Sequence, residues 1–298
     1  MRQEPLHSKS KRAVSRRDFL RLLKIVGIEA LLLSIGGGFY VREFEPSWVE
    51  ISNVSLSLPR LANSFSGLRV VQISDIHFGG WMTLEYLAEI VKMVNEQMPD
   101  LVVITGDFVM GYNQAPDVKE RLGEMADVLK MLSDRNLTLS VLGNHDYWLS
   151  RNSVVKMLEQ AGITNLNNAV HTLERGSDKL HIAGVDDVME RQSRMGLVLS
   201  QLPEEGCGIL LAHEPDYVDI SARTGRFDLQ LSGHSHGGQV VLPIIGPPIL
   251  PGLGRKYPSG LYKVKDMYQY TNRGVGMTTP YVRLNCRPEI TVFTILSV

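Results

Sequence analysis

The stretch LTLSVLGNHD, Leu137 to Asp146, is a run of strand-forming residues that ends abruptly in an amide, an imidazole and a carboxylate. Five other stretches share this form: LRVVQISD, DLVVITGD, KLHIAGVDD, CGILLAHEPD and FDLQLSGHSH. Apolar stripes with helical spacing separate some of them, at Leu84–Met98 and Val118–Leu132. Strand-like runs that alternate with helical periodicity predict an α/β fold.

Ionisable side chains follow these predicted strands at the point where each strand ends. Five of the eight histidines lie there: His77, His145, His213, His234 and His236. The carboxyl ends of strands in an α/β sheet lie along one edge, where the loops converge. We therefore expect these side chains to meet in one active site.

The motif SDIHFGG places Asp75 and His77 one residue apart. In an extended backbone their side chains point to the same face, so a carboxylate oxygen and an imidazole nitrogen can bind one divalent ion. In ITGDFV, Asp107 follows a buried strand and a glycine that lets the backbone approach closely. Each motif alone is also compatible with an ordinary turn.

The motif LGNHDYW is more specific, because a plain turn rarely needs an imidazole. The amide oxygen of Asn144 can ligate a cation without adding negative charge, and His145 can donate a proton or hydrogen bond to a substrate. Asp146 would hold the His145 ring in its useful tautomer. The alternative is a surface turn.

LLAHEPD and LSGHSHGG add His213, His234 and His236. A lone histidine at a strand end is often a satisfied core residue. The spacing of His234 and His236 favours two ligands of one ion, although ligands of two ions and a polar turn are alternatives. The presence of all five motifs in one chain argues against a purely structural role.

SDIHFG, TGDF, LGNHD, LAHEP and SGHSHGG resemble the five motifs of the calcineurin-like metallophosphoesterases, from Asp75 to His236. The resemblance implies an α/β fold, a four-layer αββα sandwich of two mixed sheets flanked by helices. It also implies two divalent metal ions, and the nitrogen and oxygen ligands suit manganese, iron, zinc or cobalt. One ion would be bound by Asp75, His77, Asp107 and His236, and the other by Asp107, Asn144, His213 and His234.

The resemblance further implies phosphoester hydrolysis by a metal-bridging hydroxide, with His145 and Asp146 as catalytic residues. Two divalent ions, two aspartates and one hydroxide sum to about +1, which attracts an anionic phosphate. His145 would stabilise or protonate the leaving oxygen, and Asp146 would orient His145. We expect a phosphodiesterase or pyrophosphatase acting on a membrane- or envelope-associated phosphate ester, with a lipid-linked or nucleotide-linked ester as the candidate substrate. A phosphomonoesterase or phosphoprotein phosphatase, and a non-catalytic envelope-binding protein, are alternatives.

The N-terminus differs in kind from the rest of the chain. A basic stretch, SKSKRAVSRRDFLRLLK, runs into the apolar segment Ile25–Val41. Arg16 and Arg17 resemble a twin-arginine export signal, and a basic amphipathic helix is the alternative. We expect a signal or membrane anchor over residues 1–45 and a catalytic domain over 46–298, at the extracytoplasmic face of the membrane. Whether the segment is cleaved stays open. This start and the ending TNRGVG…YVRLNCRPEITVF are similar to exported bacterial phosphodiesterases, a branch that includes pyrophosphatases acting on a UDP-diacylglucosamine.

Composition and two further features complete the expectations. The 298 residues carry a formal net charge of −1, which does not suggest a nucleic-acid partner. Cys207 and Cys286 are too few for a disulfide framework, and they either pair or stay free. The proline-broken stretch Val240–Tyr262 predicts a long loop next to the metals, either a hydrophobic rim for an acyl chain or bilayer, or a loop packed on its own domain. Arg194, Arg273 and Arg287 would bind a second phosphate or act structurally.

Overall fold

The computed structural model describes residues 36–111, 115 and 117–298, and in them two six-stranded sheets pack face to face. The first sheet contains β1 (Glu50–Leu58), β2 (Leu68–Ile73), β3 (Leu101–Thr105), β4 (Leu137–Val141), β5 (Thr164–Asn165) and β12 (Glu289–Ser297). Its order is β1-β12-β2-β3-β4-β5. Strands β2 to β5 are parallel, and β12 is antiparallel to β2.

The second sheet contains β6 (Ala169–Arg175), β7 (Asp178–Gly184), β8 (Cys207–Leu211), β9 (Leu229–Ser232), β10 (Gly260–Val264) and β11 (Met267–Thr271). Its order is β10-β11-β9-β8-β7-β6. The four central strands are parallel, and the edge strands β6 and β10 are antiparallel to their neighbours. Both sheets are therefore mixed.

Within the described residues, the α-helices with more than three residues are α1 (Leu84–Glu96), α2 (Leu122–Ser133), α3 (Asn144–Leu149), α4 (Arg151–Gln160), α5 (Met195–Gln201) and α6 (Val218–Ser221). Other helical segments include the π-helical turn Tyr40–Phe44, the three-residue Glu45–Ser47 and the 3-10 turn Val118–Arg121. The hydroxyl oxygen of Thr83 caps α1 by accepting a hydrogen bond from the backbone N–H of Tyr86. Pro99 follows α1 closely and cannot continue the helix.

Alternating side chains of the central strands create the layers. Val71 of β2 and Val102 of β3 pack under α1, α2 and α4, whereas Val70 and Val103 pack between the sheets. The outer face of the second sheet is covered by α5 and α6. Because successive residues of a strand point to opposite faces, near-continuous apolar runs bury both faces. The predicted four-layer αββα sandwich is confirmed.

All six predicted strands are present, and the two predicted helical stripes form α1 and, for the second, a short helical turn followed by α2. Residues 240–259 form the predicted long loop, and the end of the predicted stretch belongs to β10. Cys207 and Cys286 are buried and unpaired. The twin-arginine stretch lies outside the described residues, so the division at residue 45 stays a prediction. No helix in the described part combines the length and apolar character needed to cross a membrane.

Candidate metal centre and active site

The ends of five strands meet where the two sheets face each other. Strands β2, β3 and β4 of the first sheet lead into three of the polar motifs, and β8 and β9 of the second sheet lead into the other two. The seven predicted ligands are all buried: Asp75, His77, Asp107, Asn144, His213, His234 and His236. The two sheets thus contribute to one site.

One group of ligand atoms comprises Asp75, His77 and His236. The Nε2 atoms of His77 and His236 are 2.9 Å apart, and His236 Nε2 lies 3.2 Å from Asp75 Oδ1. Asp75 also accepts hydrogen bonds of 3.0 and 3.1 Å from the backbone N–H of His234. The first and last motifs of the site are therefore in direct contact.

A second group comprises Asp107, His213 and His234. Asp107 Oδ2 lies 3.1 Å from His213 Nε2, which is 3.2 Å from His234 Nδ1. The same Asp107 oxygen lies 3.6 Å from His77 Nε2 of the first group. Asp107 is thus placed between the two groups, and the two histidines of the GHSH motif lie in different groups.

The donor atoms fit a pair of cations. Two ligands that each lie about 2.0–2.2 Å from one ion are separated by about 3 Å, which is the spacing seen within both groups. The amide oxygen of Asn144 is buried and accepts no hydrogen bond from the residues that the structure describes. A buried acceptor of this kind needs a partner, and a cation provides one. The residues present therefore fit two divalent metal ions.

Backbone carbonyls fix the rings of two histidines. His213 Nδ1 lies 2.7 Å from the carbonyl oxygen of Thr105, and His234 Nε2 lies 2.8 Å from that of Gly252. A ring nitrogen that faces a carbonyl carries the proton, so the other nitrogen offers its lone pair. These lone pairs are at His213 Nε2 and His234 Nδ1, the two atoms that face each other.

The backbone around the ligands is strained and closely packed. Five ligand residues have φ between +49° and +68°: Asp75, His77, Asp107, His234 and His236. Such values are uncommon for residues other than glycine. A Cβ atom on Gly143 would lie 2.7 Å from His213 Nε2 and would also clash with Asp107 Oδ1. Glycine at this position lets the backbone approach the ligands.

At Asp107 and His213, charged neighbours shift the pKa in the direction opposite to the effect of burial. Burial alone raises the pKa of Asp107, but His213 and His145 beside it hold that pKa well below its usual range. Burial alone lowers the pKa of His213, but the Asp107 carboxylate raises it well above its usual value. Burial and the neighbouring His145 lower the pKa of His77. The neutral imidazole of His77 is the form that binds a cation.

The structure corrects the interpretation of Asp146. Its Oδ1 accepts hydrogen bonds from the backbone N–H groups of Phe108 and Val109, at 2.9 and 3.3 Å, and its Oδ2 accepts one from Gly143 at 2.9 Å. In the described part of the chain, no hydrogen bond joins Asp146 to the His145 ring. The carboxylate is engaged by backbone groups and positions the loops rather than the imidazole.

The His145 ring is oriented by a backbone group instead. The N–H of Gly111 donates a 3.3 Å hydrogen bond to His145 Nδ1. Burial lowers the pKa of His145, which favours the neutral ring. Because Nδ1 accepts, the proton of the neutral ring is on Nε2, which can donate a hydrogen bond to a substrate. Asp107 accepts a 2.8 Å hydrogen bond from the backbone N–H of His145, which fixes the residue beside the metal ligands.

A cavity of about 500 Å³ opens from the ligand cluster. Besides the ligands and His145, its lining includes Trp148, Met189 and parts of the long loop and of residues 278–282. The sequence predicted that the long loop lies next to the metals, but it did not indicate that Trp148, Met189 and residues 278–282 line the cavity. Trp148 could have been found, because it lies three residues after His145 on the same face of α3, whereas residues 278–282 belong to no motif.

The three candidate arginines are absent from this lining. Arg273 forms ion pairs with Glu289 at 3.0 Å and Glu50 at 3.2 Å. Arg287 lies over the ring of Trp48, with its guanidinium carbon 4.0 Å from the ring centroid. The structure therefore supports a structural role for Arg273 and Arg287.

Comparison with known proteins decides the family. The family model of calcineurin-like phosphoesterases matches residues 68–238, more than half of the chain. The chain belongs to the calcineurin-like phosphoesterases. A Bacillus subtilis (strain 168) calcineurin-like relative, "Uncharacterized metallophosphoesterase YkuE", is 37% identical over 287 residues, which cover 95% of this chain and 98% of the relative. "Phosphodiesterase YaeI" of Escherichia coli (strain K12) is 29% identical over 288 residues, 95% of this chain and 100% of the relative.

Among solved structures, the chain is similar to the Haemophilus influenzae NAD nucleotidase, with a TM-score of 0.47 and 16% identity. The likeness covers 70% of this chain and 45% of that protein, so the chain spans about half of its length. Calcineurin-like phosphoesterases depend on two metal ions, and this chain has His and Asp clusters able to bind them. The protein is therefore a metal-dependent phosphoesterase, a hydrolase.

Proposed function

We propose that this phosphoesterase hydrolyses phosphodiesters, with the seven ligand residues binding two divalent cations. The observation that carries this proposal is the cluster of ligand atoms with His145 beside it at the mouth of one cavity. The Escherichia coli relative named a phosphodiesterase, similar over nearly its whole length, supports the same reaction type.

The roles of the residues follow from their contacts. When bound, the two cations supply the charge that activates a water molecule and neutralises the phosphoryl oxygens. His145 donates a hydrogen bond from Nε2–H to the leaving oxygen, because Gly111 keeps Nδ1 as an acceptor, and water supplies the proton that the released alcohol takes up. Asp146 holds the loop of Phe108 and the turn at Gly143, which keeps Asp107 and His145 in register.

The charge of the cavity supports a diester over a pyrophosphate. The described residues that line the cavity include no lysine and no arginine. A pyrophosphate or a phosphomonoester brings additional negative charge, which a guanidinium or ammonium group would normally neutralise. A diester carries one negative charge, which the two cations can accept. We therefore propose phosphodiester hydrolysis as the main activity and pyrophosphate hydrolysis as the second candidate.

An exported, membrane-associated enzyme is part of the same proposal. The twin-arginine stretch supports it, and so do exposed apolar side chains on two neighbouring segments: Phe39, Phe44 and Trp48, and Ile244 and Ile245. The backbone N–H of Arg283 donates to the Val41 carbonyl, and the N–H of Val241 donates to the Leu284 carbonyl, each at 2.8 Å. Both segments thus flank residues 283–284. An apolar surface of this kind suits a bilayer.

The test is a panel of substrates with protein reconstituted with manganese, iron, zinc or cobalt. We expect p-nitrophenyl phosphodiesters to be hydrolysed with a higher kcat/KM than p-nitrophenyl phosphate and than a nucleotide sugar with a pyrophosphate bond. Faster hydrolysis of the monoester would favour a phosphomonoesterase. Faster hydrolysis of the pyrophosphate would overturn the charge argument and leave the metal centre in place.

A further inference from the structure

The cavity next to the metal centre is lined partly by apolar side chains, which the binding of a phosphate group does not require. Trp148 follows His145 on α3, Met189 belongs to the loop after β7, and Ile249 and Pro251 belong to the long loop. Pro280 and Val282 come from the segment before β12. Four separate parts of the chain therefore place apolar side chains around one opening.

Three of these side chains are large, apolar and open to solvent. Trp148 is 46% exposed, Met189 41% and Ile249 78%. Single exposed apolar residues are common on proteins, but a group of them around a concave opening is typical of a binding site. The cavity volume of about 500 Å³ also lies within the range of small-molecule sites.

A ring contact and several hydrogen bonds connect the walls of the cavity to His145 and to the segment that carries His236. The Trp148 ring centroid lies 4.4 Å from that of His145, and Trp148 Nε1 donates a 2.9 Å hydrogen bond to Glu190, the neighbour of Met189. Gln239, three residues after His236, accepts from the backbone N–H of Thr278 at 2.7 Å and donates to the Pro280 carbonyl at 3.2 Å. A group bound in the cavity would lie at a fixed place relative to the reacting phosphorus.

The lack of charged side chains in the lining restricts the chemical class of group that the cavity can bind. Outside the metal ligands and His145, the described lining contains no ionisable side chain. A second phosphate would find no cationic side chain here. Two of the polar side chains in the lining, Ser235 and Gln239, already hydrogen-bond to backbone groups of Pro258 and Thr278, so a sugar or base would find few partners, whereas a hydrocarbon loses nothing by leaving water.

We propose that this cavity is a subsite for an alkyl or acyl chain on one of the two alcohols of a phosphodiester. The inference rests on the proposed phosphodiesterase function and names its substrate class, an amphiphilic diester with one phosphate. Trp148, Met189 and Ile249 contact the chain, while the phosphate reaches the metal ligands. The subsite would bind the chain in the same way whether the diester is in a membrane or in solution.

The experiment uses p-nitrophenyl phosphodiesters with methyl, butyl or octyl as the second ester group, below their critical micelle concentrations. The full-length, metal-loaded protein is compared with Ile249→Ser and Met189→Ser. Ile220→Ser is the matched control, because Ile220 is a half-exposed isoleucine outside the cavity. Complete burial favours each methylene by about fourfold, so partial burial predicts a kcat/KM about tenfold higher for butyl than for methyl.

We expect Ile249→Ser and Met189→Ser each to lower the butyl-to-methyl ratio by about threefold or more, and Ile220→Ser to leave it unchanged. Binding of alkyl methylphosphonates, measured by calorimetry, gives a readout without hydrolysis. Their affinity should rise with chain length, with an increasingly negative heat-capacity change.

The two proposals fail in different ways. Equal rates and equal affinities for all chain lengths, or the same loss in Ile220→Ser as in Ile249→Ser, would overturn the subsite. Phosphonate affinity that rises with chain length, without hydrolysis of any diester, would support the subsite and overturn the proposed phosphodiesterase.

Discussion

The carboxylate of Asp75 accepts two hydrogen bonds from the backbone N–H of His234, which lies 159 residues further along the chain. Asp75 follows β2 of the first sheet, and His234 follows β9 of the second. The contact joins the two sheets at the metal centre. It also turns the GHSH motif so that His234 and His236 diverge towards different groups of ligands.

This divergence predicts that the two histidines serve different ions. His236→Ala should lose mainly the ion near Asp75, and His234→Ala mainly the ion near Asp107, because each substitution removes one donor from one group. Metal analysis after dialysis should give about one ion per chain for each variant and about two for the wild type. Loss of both ions from both variants would contradict separate roles.

His145→Ala tests the hydrogen-bond donor to the leaving oxygen. We expect kcat for a phosphodiester to fall by about 10²- to 10⁴-fold, because the ring that donates to the leaving oxygen is lost. Metal content should stay near the wild-type value, since the ligand clusters retain their other donors. Full turnover by this variant would refute the role, and a loss of metal would show that His145 acts as a ligand.

Gly143→Ala tests the close approach of the backbone. The added methyl group would press on Asp107 and His213, so we expect metal affinity to fall by about tenfold or more. Gly123→Ala is the matched control, because a Cβ atom there meets nothing within 4 Å. Gly123 lies in α2, where alanine should raise stability by about 1 kcal/mol. Unchanged metal affinity in Gly143→Ala would show that the loops move easily.

The raised pKa of Asp187 predicts that the stability of the protein depends on pH. Burial and the neighbouring Glu214 raise the pKa of Asp187 to about 9. Between about pH 4, the ordinary carboxyl range, and this value, the folded protein holds a proton that the unfolded chain has released, so stability falls as pH rises. Asp187→Asn removes this titration. From pH 6 to 8.5 this difference in proton binding is worth about 3 kcal/mol, so we expect the variant to lose about 5–10 °C less in Tm than the wild type.

The exposed Asp266→Asn is the control for this measurement, and it should follow the wild type at both pH values. A decline in Tm that is equal in Asp187→Asn and the wild type would show that Asp187 is ionised throughout the range. Circular dichroism at 222 nm follows the unfolding in all three proteins.

The membrane proposal predicts that Ile244 and Ile245 contribute to lipid binding. Burial of an isoleucine side chain favours transfer from water by about 1.5–3 kcal/mol, so replacing both by serine should weaken partitioning of the full chain into vesicles by about tenfold or more. Cosedimentation with phosphatidylglycerol vesicles measures the effect. Leu197→Ser, an exposed leucine on α5, should bind like the wild type. Equal binding by the isoleucine variant would exclude this surface from the contact.

The location of the site could be predicted because each ligand motif directly follows an apolar strand. Local order along the chain was enough to place Asp107 after β3 and His213 after β8. The roles of the ligands stay predictions, although the structure brings their side chains together. The placement of β12 was not predictable in this way, because it inserts between β1 and β2 from the opposite end of the chain.

The hydrogen-bond partners of the site residues were harder to predict from the sequence than the positions of those residues. Asp146 is adjacent to His145 in sequence, which suggested a contact between their side chains. Its actual partners, Phe108 and Val109, arrive from the end of another strand. Part of the cavity lining was missed for the same reason, since Pro280 and Val282 are far from the motifs in sequence and accept hydrogen bonds from Gln239 through their carbonyl oxygens.

The left-handed backbone at Asp75, His77, Asp107, His234 and His236 has a consequence for protein engineering. At such positions glycine relieves strain, whereas the native residues retain it together with their ligand atoms. Selection for thermal stability alone would favour glycine there and would erase the activity. Libraries aimed at a more durable enzyme should therefore hold these five positions constant and look for gains in the helices and outer strands.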